Sequence, residues 1–258
     1  MIRLSPCQSV YRRLLIVLCS LLSGFGCDGS PTRSDHGNAT LTARPAEPTL
    51  PPNRGLLTLG LGAGRDGLLY IPAVYSASRA APLIVALHGS GGRGSDWQLL
   101  QNEAEARGIV LLMPDARRST WDILYGEYGE DVAFIDEALA YTFAHCRIDP
   151  QRLALLGFSD GASYALSLGV ANGDLFSHLI AFSPGLLDLT TKRHGRPPIF
   201  VSHGLQDMIL LASITRNGIV PRLRRWGHEV TLHEFKGGHS VPDSIRALAL
   251  DWFTPVID

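Results

Sequence analysis

The sequence predicts an α/β fold: a mostly parallel, doubly wound sheet of about eight strands with helices on both faces. Strand-like and helix-like segments alternate along the chain after an opening hairpin. The strand at 82–87 is a continuous apolar run, which is typical of a parallel strand covered on both faces. A chain of 258 residues, of which 45% are hydrophobic, is long enough for one such core.

The individual elements follow from apolar spacing and turn residues. A glycine-rich turn separates two short apolar runs, 56–61 and 68–71, and predicts the hairpin. The other predicted strands are 82–87, 109–113, 152–156, 178–182, 199–202 and 230–235. Helices are predicted at 97–107, 130–146, from 162 onward, at 212–226, and after Pro242. The connection 184–197 is too short for a helical cap, so we expect no cap domain.

The globular domain is predicted to comprise residues 55–258. Three arginines precede the apolar run 14–22, and small residues follow, which is typical of a signal peptide at 1–26. This apolar run is short for a membrane span. Residues 27–54 are rich in Pro, Thr, Ser and Asn and lack apolar periodicity, which predicts a flexible linker.

Cys27 is a candidate lipidation site. The preceding residues, Leu-Ser-Gly-Phe-Gly, resemble the lipobox of bacterial lipoproteins, with Gly24 at a position where an aliphatic residue is usual. Gly24 and Gly26 also suit ordinary signal-peptide cleavage. We expect an exported protein and favour a membrane-anchored lipoprotein over a freely secreted one, because a lone cysteine before a polar linker needs a reason. Contact with a membrane is expected only through this anchor.

Residues 157–161, Gly-Phe-Ser-Asp-Gly, have the G-x-S-x-G pattern of a nucleophile elbow. The pattern is short, but a predicted strand precedes it and a helical pattern follows, which is the context that gives it meaning. The glycines allow a sharp turn. Ser159 is thereby predicted to lie at a helix N-terminus, where backbone N–H groups favour a developing negative charge.

A serine hydroxyl needs an adjacent base, itself oriented by a third group. Asp207 follows the strand 199–202, and His239 lies on a glycine-containing loop after the strand 230–235. Asp188 is the alternative acid. The other histidines considered as the base are interpreted as structural: His88, His203, His228 and His233. We therefore predict that Ser159, Asp207 and His239 act together in nucleophilic catalysis.

The glycine-rich stretch 87–92 follows the third predicted strand. Acyl transfer needs N–H donors for an oxyanion, and by position these are the backbone N–H groups of Ser90 and Asp160. The stretch lacks the G-K-[ST] ending of a phosphate-binding loop and a dinucleotide fingerprint. No Cys/His/Asp spacing indicates a metal site, so we expect neither metal nor cofactor. A net charge of −1 gives no reason to expect nucleic acid.

From Gly55 onward the chain resembles the α/β-hydrolase superfamily, within it the phospholipase/carboxylesterases, polyhydroxybutyrate-depolymerase-like esterases and feruloyl esterases. The matching stretches are 87–89, 131–136, 157–161, His203-Gly204 with Asp207, and 237–239. The resemblance implies an α/β-hydrolase fold without a cap, and a serine carboxylic-ester hydrolase acting on a small-molecule or oligomeric ester. It also implies an oxyanion hole at Ser90 and Asp160. The chain departs from the family at Asp160, where Gln or Asn is usual, and at Met208-Ile209.

The long loop 114–129 carries three aromatic residues, Trp121, Tyr125 and Tyr128. We interpret them as candidates for the wall of a substrate pocket; covering the sheet edge is the alternative. A peptidase or an acyltransferase on the same fold is the alternative activity, and a catalytically silent binding module is the alternative outside enzymes. The esterase is the leading hypothesis, and the presence of all three candidate catalytic residues favours an enzyme over a silent binding module.

Overall fold

The computed structural model describes residues 38–254. The predicted signal peptide and Cys27 lie outside the described residues, so these two predictions stay predictions. Within 38–254, no helix combines the length and the apolar character needed to cross a bilayer.

Eight strands form one open sheet. They are β1 (Gly55–Thr58), β2 (Gly67–Ile71), β3 (Ala81–Leu87), β4 (Val110–Pro114), β5 (Ile148–Phe158), β6 (His178–Phe182), β7 (Ile199–Gly204) and β8 (Val230–Phe235). Their order across the sheet is β1-β2-β4-β3-β5-β6-β7-β8. The pairs β1/β2 and β2/β4 are antiparallel, and all other neighbours are parallel. The predicted mostly parallel sheet of about eight strands is thus confirmed.

Helices cover both faces of the sheet. They are α1 (Gln101–Arg107), α2 (Glu130–His145), α3 (Asp160–Ala171), α4 (Ala212–Ile214), α5 (Val220–Arg225) and α6 (Asp243–Phe253). Two 3-10 turns, Gly94–Leu100 and Asp122–Tyr125, precede α1 and α2. The connection between β6 and β7 contains no helix, and the described part of the chain has no cap domain.

The two faces of the sheet belong to two separate apolar cores. In β3, Leu83, Val85 and Leu87 pack with α2, α3 and α5, whereas Ile84 and Ala86 pack with α1 and α6. Successive side chains of a strand point to opposite faces, so a strand between two helical layers must be apolar throughout. All seven residues of β3 are buried, which explains the continuous apolar run in the sequence.

The predicted helix 212–226 is interrupted. Between α4 and α5 the segment Thr215–Ile219 is π-helical. Pro221, in the first turn of α5, has no N–H to donate, and Asn217-Gly218 precede it. The π-helical turn accommodates the missing hydrogen bond, so the chain continues from α4 to α5 in the same helical direction.

Part of the predicted linker 27–54 packs against the domain. Leu41 is fully buried, and its backbone N–H donates to Oδ1 of Asn172 at 2.8 Å. The next two backbone N–H groups donate to the carboxylate of Asp136 at 2.7 and 2.8 Å. Residues 38–50 are therefore an ordered part of the domain. Composition did not reveal this, because one buried leucine and a few backbone hydrogen bonds leave no periodic pattern in a polar segment.

Asn172 holds this N-terminal segment. Besides accepting from Leu41, its Nδ2 donates to the carbonyl oxygens of Ala39 at 2.8 Å and Leu168 at 2.9 Å. Asn172→Ala should leave two backbone groups of the segment buried without partners, which costs roughly 1–3 kcal/mol of unfolding free energy. Denaturant unfolding measures this loss. Asn38→Ala is the matched control, since the described partner of its side chain is the exposed N–H of Thr40; equal stability of the two variants would contradict the prediction.

Candidate active site

Ser159 lies in the turn between β5 and α3. Its backbone has φ 57° and ψ −119°, a left-handed conformation that a residue with a side chain adopts only under constraint. The Ser159 N–H donates to the carbonyl of Phe182 at 2.9 Å. A Cβ on Gly157 would collide with the carbonyl of Gly161, and one on Gly161 would collide with that of Leu87. The two glycines of the motif thus permit the close packing that fixes the turn.

The structure brings Ser159, Asp207 and His239 together at the carboxyl edge of the sheet. Nε2 of His239 lies 2.8 Å from Oγ of Ser159, and Nδ1 lies 2.6 Å from Oδ2 of Asp207. Oδ1 of Asp207 accepts the backbone N–H groups of Ile209 and Leu210 at 2.8 and 2.9 Å. Ser159 and Asp207 are buried, while His239 is partly exposed. The imidazole can thus accept the serine proton while donating its other N–H to the carboxylate.

A second histidine, His203, also borders Asp207. Its Nε2 lies 3.2 Å from Oδ2 of Asp207 and 2.7 Å from the carbonyl oxygen of Leu210, and its Nδ1 lies 2.8 Å from Oγ1 of Thr215. The ring is fully buried. His203 therefore braces the turn that presents Asp207. The four-residue separation of His203 and Asp207 is the sequence signal for this contact; from the sequence, His203 is interpreted only as structural.

The alternative acid, Asp188, is engaged elsewhere. One of its carboxylate oxygens accepts the N–H and the hydroxyl of Thr190, both at 2.8 Å, and Thr191 donates to the other. Its backbone N–H donates to Oγ of Ser167 on α3. The carboxylate hydrogen-bonded to His239 belongs to Asp207 instead.

The glycine-rich turn after β3 lies directly beside the serine. A Cβ on Gly89 would stand 3.5 Å from that of Ser159. The turn is held by Nε1 of Trp121, which donates to the carbonyl of His88 at 2.9 Å. Within residues 38–254, the backbone N–H groups of Ser90 and Asp160 have no hydrogen-bond acceptor. Both are therefore available to an oxygen atom of a bound molecule.

The side chain of Asp160 is buried beside these donors. Its Oδ2 accepts the hydroxyl of Thr120 at 2.8 Å, and Ser90 also hydrogen bonds to it. Burial raises the pKa of the Asp160 carboxyl, and the hydrogen bonds from Thr120 and Ser90 oppose part of that rise. The family departure at this position thus places an ionisable group where a neutral amide is usual.

Asp160→Asn should retain the Thr120 hydrogen bond and remove the cost of burying a charge. Aspartate in an unfolded chain titrates near ~3.9, so the folded parent binds the proton more tightly than the unfolded chain. The parent's free energy of unfolding should therefore fall as pH rises from that value through the raised folded pKa. The Asn side chain does not titrate, so the free energy of unfolding of the variant should rise relative to that of the parent as pH increases from about 4 to 8. Denaturant unfolding at several pH values measures this difference. If the free energies of unfolding of parent and variant changed with pH in the same way, the prediction that burial raises the Asp160 pKa would be contradicted.

Two of the three residues predicted as an aromatic wall are buried, and their contact with a substrate stays a prediction. Trp121 is fully buried and stacks on Tyr164, with ring centroids 5.1 Å apart. Tyr128 is also buried and lies 6.0 Å from the Tyr164 ring. Only Tyr125 is exposed, and its hydroxyl lies 3.0 Å from Oγ of Ser119. The loop packs against α3, so the rings of Trp121 and Tyr128 belong to the apolar core, whereas Tyr125 stays at the surface.

The described residues hold no group of three or more His, Cys, Asp or Glu side chains placed to bind a metal ion. The site consists of a hydroxyl, an imidazole, a carboxylate and two free N–H donors. Such a set can activate a serine as a nucleophile, and it can stabilise negative charge on the carbonyl oxygen of the carbon that the serine attacks.

Comparison with known proteins shows that the chain is similar to several esterases. Residues 129–249 match the family model described as phospholipase/carboxylesterase. The chain is 26% identical over 156 residues to a probable feruloyl esterase C of Aspergillus clavatus, an alignment that covers 57% of this chain and 56% of that protein. The chain thus spans just over half the length of the curated relatives it matches.

Solved structures share the fold. An acetyl xylan esterase from Aspergillus awamori superposes with a TM-score of 0.61 at 14% identity, covering 77% of this chain and 98% of that one. The carboxylesterase of Bacillus cereus superposes with a TM-score of 0.56 at 19% identity, covering 74% and 94%. At these identities the likeness concerns the fold. Together with the family match, it confirms the resemblance drawn from the sequence.

Proposed function

We propose that this chain, which belongs to the α/β-hydrolase superfamily, hydrolyses carboxylic esters through an acyl-enzyme formed on Ser159. The observation that carries the proposal is the hydrogen-bonded series Asp207–His239–Ser159, with distances of 2.6 and 2.8 Å. It stands where the turn after β5 presents Ser159 at the start of α3. The role of each of the three residues follows from whether its side chain donates or accepts a proton or hydrogen bond in this series.

In the acylation step, Oγ of Ser159 attacks the ester carbonyl carbon while Nε2 of His239 takes the hydroxyl proton. Asp207 accepts the N–H of Nδ1, which keeps Nε2 free as a base and stabilises the imidazolium that forms. The carbonyl oxygen becomes an oxyanion that the N–H groups of Ser90 and Asp160 bind. These donors are fixed before substrate arrives, so they need no rearrangement as the charge develops.

The tetrahedral intermediate then collapses. The imidazolium of His239 gives its proton to the alcohol oxygen, the bond between that oxygen and the carbonyl carbon breaks, and the alcohol leaves. Water next attacks the acyl-enzyme with His239 as base, and the acid and free Ser159 are released. Each proton taken up by the imidazole is returned in the same half-reaction, so the chemistry needs no added cofactor.

The relatives favour an ester over an amide as substrate. The matched proteins are a probable feruloyl esterase, an acetyl xylan esterase and a carboxylesterase. We therefore place a small-molecule or oligomeric carboxylic ester ahead of a peptide. An exported, lipid-anchored location remains our proposal from residues 1–27 and is independent of the chemistry.

A matched ester and amide test the reaction class. Purified protein is expected to hydrolyse p-nitrophenyl acetate at a rate that saturates with substrate, and to leave p-nitroacetanilide intact over the same period. Comparable amide cleavage would make the protein a peptidase. Preferential acyl transfer to dilute methanol in water would make it an acyltransferase, and no turnover of any ester would make it a binding module.

A further inference from the structure

A cavity of about 320 Å³ opens beside His239. Its lining comes from four parts of the fold: the turn after β3, the 3-10 segment Gly94–Leu100, the end of β5, and the loop that follows β8. Half of the lining side chains are apolar, namely those of Trp97, Leu99, Phe158 and Val241, and the polar ones are those of His88, Asp96, His239 and Ser240. Trp97 is buried, whereas Leu99 is 50% exposed and lies where the cavity meets solvent.

The cavity begins at the reacting atoms. His239 forms part of its lining, and Nε2 of this residue is 2.8 Å from Oγ of Ser159. Gly89, on another side, would carry a Cβ only 3.5 Å from that of Ser159. The Phe158 ring lies 4.8 Å from the imidazole, centroid to centroid. A group attached to a carbonyl carbon on Ser159 can therefore enter the cavity directly.

The proton path decides which half of the ester enters. Two substituents of the tetrahedral carbon, the acyl chain and the alcohol oxygen, point in different directions. The alcohol oxygen must lie against Nε2 of His239, because it receives its proton there. The cavity surface continues from His239 through Ser240 to Val241. This surface therefore flanks the alcohol side of the carbonyl carbon.

We propose that this cavity is the leaving-group subsite and that it takes a compact, uncharged aromatic alcohol. The proposal rests on the proposed function, since it assigns one half of the same ester. The cavity volume is at the small end of ligand pockets, which suits one or two fused rings. Phe158 and Trp97 offer ring surfaces for aromatic contact. Asp96 is exposed on the lining and disfavours an anionic alcohol.

Two ester series separate the halves of the substrate. One series keeps the acetyl group and changes the alcohol: methyl, phenyl and 2-naphthyl acetate. The other keeps p-nitrophenol and changes the acyl group: acetate, propionate and butyrate. Leu99→Trp narrows the cavity where it meets solvent, and Leu99→Ala widens it. Leu248→Trp is the matched control, because Leu248 is a similarly exposed leucine on α6 that does not line the cavity.

Leu99→Trp is expected to lower kcat/KM for 2-naphthyl acetate relative to methyl acetate by about tenfold or more. Leu99→Ala should raise the same ratio. Within the p-nitrophenyl series, the ranking of acyl groups should not change in either variant. The deacylation rate of a given acyl-enzyme should equal that of the parent, because the alcohol has already left.

Other outcomes overturn the assignment. A changed ranking in the acyl series with an unchanged alcohol series would make the cavity an acyl subsite. Unchanged rankings in both series, or the same changes in Leu248→Trp, would mean that the cavity holds neither group. A parent protein that hydrolyses no member of either series would overturn the proposed function and the subsite with it. An active parent whose Leu99 variants show the parent's substrate preferences would overturn the subsite assignment but not the proposed function.

Discussion

Ser159→Ala is expected to lower kcat for p-nitrophenyl acetate by about 10⁵-fold or more, with no loss of folded structure. The hydroxyl supplies the only proposed nucleophile, and its loss removes the covalent step entirely. The change deletes one oxygen atom whose hydrogen-bond partner, Nε2 of His239, lies on a partly exposed ring that water can reach. The backbone that fixes the turn is untouched, so circular dichroism and denaturant unfolding should match the parent.

Ser167→Ala is the matched control for this variant. Ser167 is a fully buried serine two turns further along α3, and its hydroxyl hydrogen bonds to Ser163 and Asp188 rather than to the site. It should cost stability but leave kcat within a few-fold of the parent. Activity of Ser159→Ala within about tenfold of the parent would contradict the role of Ser159.

His239→Ala is expected to have an effect of similar size, with kcat lowered by about 10⁴-fold or more. Within residues 38–254, Nε2 of His239 is the hydrogen-bond partner of Oγ of Ser159, so the variant loses the group that takes its proton and returns one to the alcohol. Steady-state hydrolysis at fixed pH measures the loss. The double variant Ser159→Ala with His239→Ala should be little worse than either single one, because the two residues act as a unit.

His233→Ala controls for the loss of a histidine as such. His233 lies in β8 and stacks on Phe200, with ring centroids 4.9 Å apart, and makes no contact with Ser159. Its replacement should change kcat little. An equal loss in His233→Ala and His239→Ala would indicate that the decrease comes from the fold and not from the missing base.

The fold was predictable because local sequence and global architecture agree. Parallel strands buried on both faces must be continuous apolar runs, and β3 and the buried segment 153–156 of β5 appear as such in the sequence. The proximity of the three candidate site residues was predictable for a related reason. Each follows a strand, and the carboxyl ends of neighbouring parallel strands meet at one edge of the sheet. Ser159 follows β5, Asp207 follows β7 and His239 follows β8.

The features that sequence reasoning missed depend on long-range packing. Trp121 and Tyr128 have the composition of a pocket wall, and only the path of their loop over α3 buries them. Leu41 lies in a polar segment, and its burial depends on Asn172, 131 residues away. The contact between His203 and Asp207 depends on the turn after β7. None of these leaves a periodic pattern in the chain.

A fluorophosphonate probe tests the central claim most directly, because it reacts covalently only with a serine that a neighbouring base has activated. The parent protein should take up one probe molecule, and peptide mass spectrometry should place the adduct on Ser159. His239→Ala should label far more slowly, and Ser159→Ala not at all. An adduct on another residue, or ester hydrolysis by a parent protein that takes up no probe, would contradict the assignment of Ser159 as the nucleophile.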